Sequence, residues 1–170
     1  MKMTELFLAE LDREAKVTRK ALENLPDEID PEWRPHPRSM PFGYLANLVA
    51  SLPSWIGLTI DQDSLDLDPP GGGGQPRPAL GTRAELRDAL DRHVESARKA
   101  LQNTTDEHLL TSWQLKRQGH VVMEQPRHIV LRDSVFNHLA HHRGQLTVYL
   151  RLNDAKVPSI YGPSADDPTF

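Results

Sequence analysis

Three of the chain's eight histidines, His138, His141 and His142, fall within five positions of one another. Side chains four apart on a helix stand one turn above each other, with Cβ atoms roughly 6 Å apart. His138 and His142 can therefore aim two imidazoles at one divalent cation. The pair is not the zinc-protease motif, because Leu139 stands where that motif places glutamate. A buried imidazole needs a partner, since an unpaired polar atom costs about 1–3 kcal/mol. A metal is one such partner; a carboxylate, a backbone carbonyl or a water is another. The chain contains no cysteine. Disulfides, thiolate metal sites, iron–sulfur clusters and a thiol nucleophile are thereby excluded, and any metal must be held by nitrogen and oxygen.

The other histidines carry blander expectations. His141 lies about 60° round the helix from His138 and about 100° from His142, on the flank of the seam, and reads as a surface or interface residue. His108 and His120 read as exposed. His36 sits between prolines and reads as a turn residue, and His93 beside Leu90 and Val94 as a residue at the core edge. Gly144 asks for a reason, because a mid-helix glycine costs about 1 kcal/mol against alanine. It would permit close helix approach or clear space beside the pair. Arg143 reads as a surface salt-bridge residue or a group that steers an anionic substrate.

These side chains must be positioned by four helical stretches. Phe7, Leu11, Ala15, Thr18, Leu22 and Leu25 recur at spacings of three and four, which predicts a first helix over residues 4–25, with Thr4 as N-cap and Pro26 as its stop. A proline-rich connector follows. A second helix is expected from about Ser39 through "FGYLANLVASL", ended or kinked by Pro53. The stretch "DPPGGGGQPRP" at 68–78 lacks the Lys-Ser/Thr of a phosphate loop and reads as a flexible tether. Thr82 and Glu85 form a capping box that opens a third helix over 82–102. "TSWQLKRQGHVVMEQP" alternates in polarity around Gln118-Gly119 and predicts a short β-hairpin. The fourth helix is expected from Pro126 to Asn153. Its seam, Leu131, Val135, His138, His142, Leu146 and Tyr149, runs through both members of the histidine pair. The tail from Ala155 onward reads as loop.

The fold class is therefore all-α, a helix bundle with a hairpin between helices three and four. The 170 residues read as a single domain spanning 1–170. Lys plus Arg number 20 and Asp plus Glu 24, for a formal net charge of −4. No dense Lys/Arg stripe appears, so a nucleic-acid partner is not expected. No apolar run approaches the roughly 20 residues that span a bilayer, and the N-terminus is too charged for a signal peptide. A cytoplasmic protein with no membrane partner is the expectation.

"NHLAHHRGQLTVYLR" followed by "VPSIYGPSAD" resembles the DinB/YfiT-like family of metalloenzymes. "RPHPRSMPFGYLANLVASLPSW" resembles that family's second helix, and "WQLKRQGHVVMEQPR" its hairpin insert. The resemblance implies a four-helix bundle of up-down-down-up type, often a homodimer. It implies a divalent metal, typically nickel, zinc or iron-like, held by three histidines. Two come from the fourth helix, matching His138 and His142, and one from the second. In this chain Leu48 stands at that third position. His36 or His93 is a substitute only if the fold brings it to the metal. Some members transfer a low-molecular-weight thiol, so the resemblance implies a small-molecule substrate or thiol and a thiol S-transferase. The alternative is a non-catalytic, dimeric bundle that binds small molecules or acts in stress after losing the metal.

Overall fold

The computed structural model describes residues 2–70 and 81–169 of the chain, which is mostly helical with a small three-stranded sheet. The four glycines of the proposed tether lie outside the described residues. Helix α1 spans Met3–Glu23, α2 Phe42–Ser51, α3 Ser54–Asp61 and α4 Arg83–Asn103. A short α5, Asp106–Leu109, leads into strands β2, Ser112–Arg117, and β3, His120–Pro126, while β1 is Ser64–Asp66. The last helical stretch is α6 (Arg127–Val130), a π-helical segment (Leu131–Asn137) and α7 (His138–Leu152). Among the described residues no single helix is long and apolar enough to cross a membrane.

Helices α1 and α4 bury most of the face their periodicity predicts. On α1 the buried positions include Phe7, Leu11, Thr18 and Leu22, and on α4 Leu86, Leu90, Val94, Ala97 and Leu101. Helix α4 packs on α1, α2 and α3, and α7 packs on α2 and α1. Phe7 of α1 stacks on Phe136 of the π segment with ring centroids 5.8 Å apart. Trp33 and Tyr149 meet edge to face at 5.5 Å, and the Tyr149 hydroxyl donates to the Met40 carbonyl. The proline-rich connector is thereby pinned against α7.

The boundaries hold some corrections. Thr4 lies inside α1 and is not its cap; the amides of Met3 and Thr4 donate instead to the Asp106 carboxylate, at 2.9 and 3.0 Å. A cap drawn from a hundred residues away leaves no local signature. The second helix starts at Phe42, after Pro41, and not near Ser39. At Pro53 the helix bends by 53° between α2 and α3, the expected result of a lost backbone donor. Thr82 does cap α4, its hydroxyl accepting from the Glu85 amide.

Strands β2 and β3 pair antiparallel about Gln118 and Gly119, both with positive φ of 52° and 78°. That conformation suits a tight two-residue turn. Asp66 accepts from both turn amides, at 3.1 and 2.8 Å. Its strand, β1, pairs in parallel with β2, an element absent from the sequence reading.

Arg127 locks this sheet to the helices. Its side chain is 2% exposed. It donates to the Thr59, Gln62 and Ser112 carbonyls, to the Thr111 hydroxyl and to Asp63. One guanidinium thus satisfies three backbone acceptors that close the end of α3 and the start of β2. The tail is similarly tied. Asp167 accepts from the Ser159 and Thr169 amides and the Thr169 hydroxyl, and Lys20 lies 3.7 Å away.

Two predictions follow from these ties. Arg127→Leu should cost on the order of 3 kcal/mol in urea unfolding, because buried carbonyls lose their donors. Asp63→Ala, at the exposed end of the same pair, should cost under about 1 kcal/mol. Those hydrogen bonds, led by the Thr169 hydroxyl, hold the Asp167 carboxyl down at about 2. A depressed carboxylate stabilises the fold above its ordinary value, and that contribution is lost as pH falls through the folded value. The difference in urea midpoint between wild type and Asp167→Asn should therefore be full at pH 5 and close as pH approaches 2.

Candidate functional site

The π-helical segment ends where the histidine pair begins. A π turn widens the helix and occurs often at functional sites. Here Leu131, Val135 and Phe136 are all buried before the chain resumes α geometry at His138. The backbone amide of His138 donates to the Val135 carbonyl. His138 is half-buried and His142 is 5% exposed. Their ring centroids lie 4.5 Å apart, and their Nε2 atoms face each other at 2.7 Å.

What the far side of each ring touches decides what the near side can do. His142 Nδ1 lies 2.8 Å from Gln145 Oε1, and His138 Nδ1 lies 3.3 Å from the Ser134 carbonyl. The Ser134 carbonyl only accepts, so His138 Nδ1 donates to it; His142 Nδ1 does the same where it is the amide oxygen of Gln145, and not its NH2, that faces the ring. A neutral imidazole protonated at Nδ1 has a bare lone pair at Nε2. Two such lone pairs facing each other at 2.7 Å repel unless an electrophile, a proton or a cation, lies between them. Metal-binding histidines show this same pattern, with the second ring nitrogen donating to an oxygen. Burial, partly offset by the Gln145 bond and reinforced by His138 and His141, holds His142 below its ordinary value. Its neutral form is thereby favoured.

The other histidines do not join the pair. His36 is exposed, and its Nδ1 accepts from the Arg38 amide at 3.1 Å. His93 donates from Nδ1 to the Ala50 carbonyl at 3.0 Å, a core-edge contact. Among the described residues no group of three His, Cys, Asp or Glu is placed to hold a metal. Leu48 packs as a partly buried hydrophobe against the core. Asn47 Nδ2 donates to the Gly43 carbonyl and the Ser51 hydroxyl to the Leu48 carbonyl. His141 is exposed, its ring edge-on to His142 with centroids 4.9 Å apart. His108, expected at the surface, is half-buried and bonds through Nε2 to the Ile60 carbonyl at 2.9 Å.

Arg143 departs most from its expectation. It is not a surface residue: its side chain is 1% exposed and lies 2.7 Å from Glu14 of α1. It also donates to the Thr18 hydroxyl at 2.9 Å and to the Tyr161 hydroxyl, whose own proton goes to Glu14 at 2.8 Å. Burial, with the Glu14 bond, pushes the Tyr161 phenol up. Glu14 and Tyr161 were missed from the sequence. Glu14 did carry a signal, since it follows Leu11 by three and precedes Thr18 by four on the buried face of α1. Gly144 gains no packing rationale, because a Cβ there would meet nothing within 4 Å among the described residues.

Comparison with known proteins places this architecture. The chain matches the DinB family over residues 1–169 and belongs to that family. A DinB-like protein from Bacillus cereus ATCC 10987 superposes with a TM-score of 0.69 at 25% identity, covering 92% of this chain and 97% of that one. No curated protein matches the chain.

The bonding at Nδ1 makes a direct prediction. At pH 8, 15N NMR of the imidazoles should find both His138 and His142 protonated at Nδ1. Gln145→Leu should move His142 toward the Nε2-protonated tautomer and leave His138 largely unchanged. An Nε2-protonated His142 in the wild type would refute the assignment.

Proposed function

We propose that this member of the DinB family binds a divalent cation, of nickel, zinc or iron type, through Nε2 of His138 and His142. The observation that carries the reading is the pair of inward lone pairs, each set by an oxygen acceptor behind its ring. The donor set fits a divalent transition metal in type, because imidazole is a common ligand for all three. It falls short in number, since structural and catalytic zinc sites take three or four protein ligands. Ligands at 2.1 Å and a tetrahedral angle sit about 3.4 Å apart, so the rings would part slightly to admit an ion.

A bound cation would supply a Lewis acid that takes up a low-molecular-weight thiol and favours its thiolate, the chemistry of a thiol S-transferase. The protein's own residues would do the rest. Gln145 and the Ser134 carbonyl fix the rings in one orientation. Burial of His142 keeps competing protons off Nε2 near neutral pH. Leu48 leaves a coordination position to solvent or to a small-molecule substrate. We read α1, α2–α3, α4 and α6–α7 as the four members of an up-down-down-up bundle. We expect a homodimer by analogy with the family.

A second reading keeps the bundle and removes the ion. The 2.7 Å separation of the Nε2 atoms is also the length of a hydrogen bond, so the pair can share a proton. With Leu48 in the third position, the protein would then be a non-catalytic small-molecule-binding or stress-associated module.

Cobalt(II) titration of tag-free protein, followed by visible absorption, separates the two. The first reading expects saturable binding that His138→Ala/His142→Ala abolishes. Leu48→His, which adds a third imidazole, should tighten binding at least tenfold. Cobalt uptake by the double variant equal to wild type, with the fold intact by circular dichroism, would favour the second.

A further inference from the structure

A pocket lies where the tail crosses α1, beside the Glu14–Arg143 ion pair. The tail residues Ser159, Ile160 and Tyr161 lie beside α1 and form with it a half-open pocket of about 210 Å³. Val17 and Ile160 give it apolar wall, and Arg13, Lys16 and Lys20 line it from α1. Those three cations are spaced by three and four residues, so they share one face of the helix.

The charge in this pocket is not balanced locally. Among the described residues Glu14 is its one acidic lining residue, and it is already engaged by buried Arg143 at 2.7 Å and by the Tyr161 hydroxyl at 2.8 Å. The neighbouring acids of α1 are also committed, Glu10 to Arg132 and Asp12 to Arg98. Lys20 has Asp167 at 3.7 Å. Among the described residues no carboxylate lies within ion-pair distance of Arg13 or Lys16. Other cations of the same helix behave differently: Arg19 is paired with Asp91. Arg13 and Lys16 thus stand at the rim of a hollow whose apolar floor is Val17 and Ile160. A ligand with an anionic head and a short apolar body answers both.

We propose that the pocket between Arg13–Lys20 of α1 and Ser159–Tyr161 of the tail binds a small organic carboxylate. Its carboxylate meets Arg13 and Lys16, and its apolar body lies against Val17 and Ile160. The volume is below the roughly 300 Å³ at which drug-sized sites begin, so the ligand is fragment-sized, on the scale of a substituted benzoate. The site is independent of the histidine pair and stands whether or not a metal binds there. It touches the same buried ion pair, Glu14–Arg143, that anchors α7 beside His142.

The test uses the full chain with 4-fluorobenzoate, followed by 19F NMR, and 4-fluorobenzamide as its neutral isostere. The benzoate should bind saturably in the millimolar range and more weakly as salt rises. The amide should bind at least fivefold more weakly. Arg13→Gln/Lys16→Gln, which changes only exposed side chains, should weaken benzoate at least fivefold and leave the urea midpoint unchanged. Chemical-shift changes at Val17, Ile160 and Tyr161 should report the contact. Equal affinity for the amide, an unaltered affinity in the double variant, or no saturation by the benzoate would each overturn the proposal.

Discussion

The last helical stretch carries polar groups into the interior, and each must find a partner there. Arg127, His142 and Arg143 are all buried on it. An isolated buried charge is costly enough that it survives only when paired and hydrogen-bonded. Arg127 is met by backbone carbonyls at the end of α3 and the start of β2. Arg143 is met by Glu14, Thr18 and Tyr161. His142 is met by Gln145 on its own helix and by His138. Satisfying these three groups ties the sheet, α1 and the tail to one helix. The hydrophobic core gives that helix its depth; the polar partners give it a rotation.

That distinction explains which parts of the molecule could be read from sequence. The apolar seams of α1 and α4 are visible because burial leaves a period of 3.6 residues, and the Thr82–Glu85 box is visible because a cap acts within one turn. The Asp106 cap of α1, strand β1 and the Arg127 hub are invisible for the opposite reason. Each joins residues far apart in the chain through hydrogen bonds that impose no local pattern. Arg143 was misplaced at the surface because arginine is seldom fully buried, and the prior holds only until a partner such as Glu14 is known. The fourth-helix seam is borne out at His142, Leu146 and Tyr149, while His138 is only half-buried and Phe136, Leu139, Arg143 and Leu150 are buried beside it.

The candidate site was legible in its residues and not in its chemistry. The spacing of His138 and His142 gives convergence of their rings. It does not say which nitrogen each ring presents, and that choice decides whether the pair can donate to anything. Gln145 and the Ser134 carbonyl make the choice, three residues after one ring and four before the other. Both orienting groups lie on the same helical stretch as the rings, so the nitrogen each ring presents is set without help from a neighbouring helix. On α2, Leu48 contributes to the core and offers no lone pair.

His142 and Arg143 are adjacent in the chain and face different neighbours, one toward His138 and the other toward α1. Consecutive residues on a helix are about 100° apart, so both contacts cannot be kept if α7 rotates about its axis. Breaking Glu14–Arg143 would leave a charge buried without its partner, a loss of several kcal/mol by general experience with such pairs. The direction in which the imidazoles point is consequently enforced from outside the site, by a salt bridge to α1 whose other face is closed by Tyr161. The tail, which has no regular secondary structure, therefore completes the support of the helix that carries the histidines.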